Sequence, residues 1–193
     1  MPAIHSVAVF CGSNSGTDPA FAAGARALGR GLAASRMRLV YGGGRVGLMG
    51  AVADAVVEGG GEVLGVIPEF LAQLEVAHTG VARLVTTDSM HSRKQLMFAE
   101  ADAFVSLPGG LGTLDETIEI ITWRQLRLHD KPILLCDIAG SAAPLLGAID
   151  AAIASGFASA RSRDLFEVTD GVVPLLERLR TLPRTIAVPA DRL

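Results

Sequence analysis

Residues 103–126 read AFVSLPGGLGTLDETIEIITWRQL. Ala103 to Leu107 is a short apolar run of the kind that fills a buried strand. Pro108-Gly109-Gly110 breaks it, and from Gly112 to about Leu126 the apolar residues return at helical spacing. A strand, a glycine turn and a helix in immediate succession are the repeating unit of a parallel sheet with crossover helices. The same order recurs on both sides of this stretch. Upstream, the predicted strands are Val7 to Cys11, Arg38 to Tyr41, Val63 to Ile67 and Ala82 to Thr86. The helices between them are predicted over 20–34, started by Asp18-Pro19, over 47–58, stopped by Gly59-Gly60-Gly61, and over 89–101. The stretch from Pro68 to Gly80 reads as irregular or weakly helical. Downstream come a strand at Ile133 to Cys136, a helix over 142–155, a short edge strand at Phe166 to Val168 and a last helix over 171–182. The reading is α/β: one doubly wound parallel sheet with helices on both faces, a single domain over residues 1–193.

The bulk composition agrees with one domain. The chain has 193 residues, half of them hydrophobic and 19% charged, with a formal net charge of −3. Mean hydropathy is +0.42. So little charge covers a monomer poorly, which favours a homo-oligomer that takes apolar surface out of water. There is no basic run, so nucleic acid is not an expected partner. No apolar run is long enough to span a membrane, and Met1 to Ser6 lacks the pattern of a signal peptide. Two cysteines, Cys11 and Cys136, end predicted strands and read as free thiols in a reducing, cytoplasmic setting.

Three glycine-bearing loops fall at carboxyl ends of predicted strands, the edge where doubly wound sheets hold ligands. They are Cys11-Gly12-Ser13, Tyr41-Gly42-Gly43-Gly44 and Pro108-Gly109-Gly110-Leu111-Gly112-Thr113. A glycine loop feeding a helix N-terminus presents backbone N–H groups and partial positive charge to an anion such as phosphate. Gly109, Gly110 and Gly112 read as the wall of such a nest, with the Thr113 hydroxyl as an added donor. A competing reading stands beside it: Thr113-Leu114-Asp115-Glu116 has the form of a capping box, Thr113 as N-cap and Glu116 closing it. Gly42, Gly44 and Gly47 match the dinucleotide fingerprint, but behind the second strand and without a well-placed acid. No Walker spacing and no Gly-x-Ser-x-Gly elbow is present. Met90-His91-Ser92-Arg93-Lys94 opens a helix with two cations in its first turn, against the helix dipole, and so implies an anionic partner: Glu116, a ligand phosphate or both. His91 and His129 lack companions at metal-ligand spacing, so neither a metal nor another cofactor is expected.

Pro108 to Glu116 matches the Pro-Gly-Gly-x-Gly-Thr-x-x-Glu motif, and the chain here resembles the Lonely Guy (LOG) family of cytokinin riboside 5′-monophosphate phosphoribohydrolases. Tyr41 to Gly50 and Ser89 to Lys94 resemble its other signatures. Cys11-Gly12-Ser13, Glu75-Val76-Ala77-His78 and Thr122 to Leu126 resemble further family segments, within a family-like core of about 7–182. The resemblance implies a Rossmann-like fold, a homodimer with sites near the subunit interface, and hydrolysis of a nucleoside 5′-monophosphate to free base and ribose 5-phosphate. It places Arg93 and Glu116 on the catalytic pair. It places Gly109, Gly110, Gly112 and Thr113 on the phosphate contacts, and Ser13, Gly43, Met90 and Lys94 on or beside nucleotide-binding positions. The label "lysine decarboxylase" that such proteins often carry finds no pyridoxal-phosphate lysine motif here. The chain departs from the family pattern at Arg127, where a small residue is expected, and at Gly140-Ser141-Ala142, where aromatic residues are common. A general purine 5′-monophosphate nucleosidase and a non-catalytic nucleotide carrier are the alternatives.

Overall fold

The computed structural model describes residues 4–72 and 77–184. Glu75 and Val76, and Met1 to Ala3 at the N-terminus, lie outside the described residues. Strand β1 (Ser6–Phe10) leads through helix α1 (Pro19–Ala34) to β2 (Arg38–Tyr41), then through α2 (Gly47–Glu58) to β3 (Val63–Pro68). A four-residue helix, α3 (Glu69–Ala72), precedes β4 (Arg83–Thr87). The second half runs α4 (Met90–Glu100), β5 (Ala103–Ser106), α5 (Leu111–Gln125), β6 (Ile133–Asp137) and α6 (Ala143–Ala154). A 3₁₀ turn at Ala160–Leu165 then leads to β7 (Glu167–Asp170) and α7 (Val172–Thr181). The seven strands are hydrogen-bonded in the order β4-β3-β2-β1-β5-β6-β7, and every pair is parallel. The doubly wound expectation therefore holds, and the irregular stretch after Pro68 contains one short helix.

Alternation along the strands explains why both faces are covered. From β1, Val7 and Val9 join one core with Leu28, Leu32, Val52, Val56, Leu175 and Leu179, which come from α1, α2 and α7. Ala8 and Phe10 point the other way, into a second core with Met97, Phe98, Ile120 and Ile121 from α4 and α5. Local signals start and stop the helices. Asp18 Oδ1 accepts the Ala20 N–H at 2.8 Å, with Pro19 opening the helix. Ser89 and Ser92 cap α4 reciprocally, each side chain bonded to the other's backbone N–H.

The chain winds outward from β1 to β4, then returns to place β5 on the other side of β1. The switch point between β1 and β5 opens a crevice beyond their carboxyl ends. All three glycine loops of the sequence lie on that edge.

Candidate active site

The loops after β1, β2 and β5 are locked together by their backbones. The Gly12 N–H donates to the Pro108 carbonyl at 3.0 Å, and the Gly12 carbonyl accepts from the Leu48 N–H at 3.0 Å. These approaches need glycine. A Cβ on Gly47, which sits at φ +64°, would stand 2.3 Å from the Ser13 backbone, and one on Gly109 would stand 2.0 Å from Thr113 Oγ1. Between the loops lies a cavity of about 380 Å³, lined by Ser13, Phe21, Leu48, Gly109, Gly110 and Ser141 among others. That size suits a small ligand. A larger cavity, about 730 Å³, opens around His5, Arg38, Asp102 and Arg184. Those residues belong to the amino edge of the sheet, away from the three loops.

Helix α5 begins earlier than the capping-box reading required. Gly110 is its N-cap, with extended backbone and no side-chain cap, so Thr113 is the third helical residue. The expected Thr113–Glu116 box is absent, for a tertiary reason. Thr113 is 5% exposed and its side chain tucks under Gly109, where it cannot serve as a cap. The first N–H groups of α5 consequently meet no capping side chain. Around them, a Cβ built on Gly110 or Gly112 would meet nothing within 4 Å.

Arg93 is buried, 7% exposed, on the first turn of α4. Its Nε donates to the Val66 carbonyl at 3.1 Å and its Nη2 to the Gly42 carbonyl at 3.3 Å. Its Nη1 lies 3.8 Å from Met90 Sδ and 3.6 Å from Glu116 Oε1. The two cations that oppose the α4 dipole thus both find carboxylates on α5. Lys94 Nζ lies 2.7 Å from Asp115 Oδ2 and 3.2 Å from Glu119 Oε2. Burial works against the charge of Lys94, but the hydrogen bonds and charges of the two acids outweigh it and raise its pKa. Glu116 also reaches the end of β1: burial first, and the negative charge of Glu116 second, push the Cys11 thiol up.

Ser13 is exposed in the loop after β1, Gly43 is buried at φ +79° after β2, and Met90 is half-buried beside Arg93. Arg93, Met90, Lys94 and Glu116 therefore form one group between α4 and α5. Ser13, Gly109 and Gly110 form another around the cavity, and the Gly42–Gly44 run adjoins Arg93. Two polar residues were not assigned a role from sequence: Asp54 on α2 and the buried His78, 2.8 Å apart. They are too far apart in the chain for any spacing rule to join them, and only the family-like segment ending at His78 pointed there.

Fold and loops define a Rossmann-like α/β protein whose polar chemistry gathers at the switch point of the sheet. A family profile described as "Possible lysine decarboxylase" matches residues 49–179. A rice (Oryza sativa subsp. japonica) protein named probable cytokinin riboside 5′-monophosphate phosphoribohydrolase LOGL1 is 42% identical over 186 residues, covering 96% of this chain and 83% of its own. The cytokinin riboside 5′-monophosphate phosphoribohydrolase of Rhodococcoides fascians is 42% identical over 181 residues, covering 93% and 91%. The chain belongs to the LOG family of cytokinin riboside 5′-monophosphate phosphoribohydrolases. Among solved structures, the molybdenum cofactor binding protein of Rippkaea orientalis superposes with a TM-score of 0.70 over 92% of this chain and 96% of its own, at 20% identity. That likeness concerns the fold alone.

Proposed function

We propose that this enzyme hydrolyses the N-glycosidic bond of a nucleoside 5′-monophosphate, a cytokinin riboside monophosphate in particular, to free base and ribose 5-phosphate. The observation that carries the reading is the buried Arg93–Glu116 pair beside a glycine cradle. The phosphate is read against the N–H groups of Gly109, Gly110, Gly112 and Thr113, where the open space at Gly110 and Gly112 lets an anion approach. Ser13, Gly43, Met90 and Lys94 are read as nucleotide-binding positions along the same edge. Lys94 has its ammonium already shared by Asp115 and Glu119.

Cleavage of the bond builds positive charge on the ribose. A carboxylate beside the anomeric carbon stabilises that charge or activates the attacking water, and Glu116 is given that role. Arg93 faces Glu116 with its guanidinium and orients ribose or leaving base. The phosphate is remote from the breaking bond and works by fixing the sugar against Glu116. The homodimer belongs to the same proposal, supported by Leu111, Leu114 and Ile118 exposed along α5 and by α6, an apolar helix without one buried residue. A cytoplasmic setting is supported by two buried thiols left unbridged.

Chromatography of products after incubation with isopentenyladenosine monophosphate, AMP, GMP and CMP tests the reaction. Free base and ribose 5-phosphate are expected, fastest from the cytokinin nucleotide. Equal rates from AMP and GMP would point to a general purine monophosphate nucleosidase, and binding without turnover to a carrier.

A further inference from the structure

We propose that His78, fixed by Asp54, is a positioning residue that holds the glycine run after β2 against Arg93. The inference rests on the catalytic reading of Arg93 and Glu116 above. His78 is 4% exposed. Its Nε2 lies 2.8 Å from Asp54 Oδ1 on α2, and its Nδ1 accepts the Gly80 N–H at 3.2 Å. Because Nδ1 accepts a backbone donor, the ring proton sits on Nε2 and is donated to Asp54. The imidazole is therefore held at both nitrogens.

The backbone of the same residue reaches the active site. The His78 N–H donates to the Gly43 carbonyl at 3.0 Å, and Ala77 forms an antiparallel bridge with Gly44. One residue before Gly43, the Gly42 carbonyl accepts from Arg93 Nη2. The run has little room to adjust by itself. Gly43 sits at φ +79° with Ile67 and Leu84 crowding its missing Cβ, and a Cβ on Gly42 would stand 2.1 Å from Arg93 Nη2. A path of direct contacts thus runs from Asp54 through His78 and the Gly42–Gly44 run to Arg93 and Glu116.

The phosphate cradle touches this path only indirectly, through Gly12 and the Leu48 N–H at the start of α2. The loop Pro108–Gly110 is tied to Gly12 and Thr113, not to residues 77–80. A staple that merely stabilises the fold would lower the melting temperature and leave turnover per folded molecule unchanged. A positioning residue acts on kcat while binding of the phosphate-bearing fragment stays intact.

The test compares H78A, H78Q, D54A and wild type for kcat, for affinity toward ribose 5-phosphate by calorimetry, and for melting temperature. H78A and D54A are expected to lower kcat by about ten- to 100-fold, as misplacement of a reacting group does, with ribose 5-phosphate affinity unchanged. H78Q, which can still donate to Asp54, is expected to recover most of the loss. H78A added to R93K is expected to cost no further turnover, since both act through one group. Should H78A not fold, D54A, with its side chain 55% exposed, carries the test. Wild-type kcat in D54A or H78A, or a loss of ribose 5-phosphate affinity as large as the loss of kcat, overturns the proposal. E116Q assayed in parallel separates the two readings: an active E116Q removes the catalytic pair itself, whereas an inactive E116Q beside a fully active D54A removes only the role of His78.

Discussion

Arg93 Nη1 stands 3.6 Å from Glu116 Oε1, with the two side chains 8% and 11% exposed. The contact is coulombic at that length, longer than a hydrogen bond, while the Val66 and Gly42 carbonyls hold the rest of the guanidinium. A neutral amide of the same shape fits in place of the acid. E116Q is therefore expected to fold and to bind AMP, yet to lose turnover by about 10²–10⁴-fold or more, the range of general acid–base help. Product release under saturating AMP, with calorimetry on the same preparation, checks it; wild-type-like turnover would take Glu116 out of the reaction.

The glycines of the cradle separate stability from binding. Gly109 has no room: an added Cβ meets Thr113 Oγ1 at 2.0 Å and Gly12 N at 2.9 Å. G109A is expected to lose about 1–3 kcal/mol of stability through overpacking. Gly112 lies inside α5 with open space beside it, so G112A is expected to gain about 0.5 kcal/mol from helix propensity and to bind AMP more weakly. T113V keeps the buried shape but removes the hydroxyl, and with no cap to lose, its affinity for AMP is expected to fall more than its melting temperature. Unaltered AMP affinity in both G112A and T113V would place the phosphate elsewhere.

The exposed side of α5 carries Leu111, Leu114 and Ile118, which at steps of three and four share one helix face. If a second copy covers that face, one charge there suffices to split the pair. L114E and I118E are each expected to convert a dimer to monomer in analytical ultracentrifugation while retaining a cooperative melt. Wild type sedimenting as a monomer would refute the proposed assembly.

Much of this was legible along the chain because the signals are local. Asp18-Pro19 starts a helix, Gly59-Gly60-Gly61 stops one, and apolar runs buried on both faces mark parallel strands. The two cations at Arg93 and Lys94 announced acidic partners, and three acids on α5 answer them. Thr113-x-x-Glu116 was ambiguous for a physical reason. The pattern of a capping box is the same whether the helix starts at that threonine or earlier, and the choice is made by Thr113 packing beneath Gly109, a contact with the loop ahead of the helix. Strand order was equally hidden. The Arg93 site needs the end of β3, the loop after β2 and helix α5 side by side, which follows only from the winding β4-β3-β2-β1-β5.

Arg127 departs from the small residue expected by family resemblance, and the backbone gives the reason for that expectation. Arg127 has φ +59° and follows the C-cap of α5, with Leu128 N–H donating to the Trp123 carbonyl at 2.9 Å and Arg127 N–H to Arg124 at 3.0 Å. This is a Schellman ending, where glycine is preferred. A left-handed L-residue costs about 1–2 kcal/mol, part of which glycine returns as unfolded-state entropy. R127G is expected to raise stability by about 0.5–1 kcal/mol, read as a higher urea midpoint at unchanged m-value. A lower midpoint would mean that the arginine side chain contributes more than its backbone costs.

Lys131 is a buried charge that the proposed chemistry does not use. It is 5% exposed, donates to the Phe98 carbonyl at 2.6 Å and lies 4.0 Å over the Phe98 ring. Burial, opposed by Asp102 and assisted by Arg184, brings its pKa from 10.5 down to about 8. The folded protein thus releases this proton near pH 8, while the unfolded chain keeps it to about 10.5. Between those values the unfolded state binds more protons, so stability contributed by this group rises with pH; below about 8 both states hold the proton and the burial cost is present in full. K131M removes the titration and keeps an apolar stem of similar length over Phe98, at the expense of the bond to its carbonyl. Relative to K131M, wild type is expected to gain stability from about pH 8 to 10.5, by at most about 1.4 kcal/mol per pH unit. Urea midpoints of the two proteins across that window measure the difference directly; parallel curves would mean that Lys131 keeps its ordinary pKa in the folded protein.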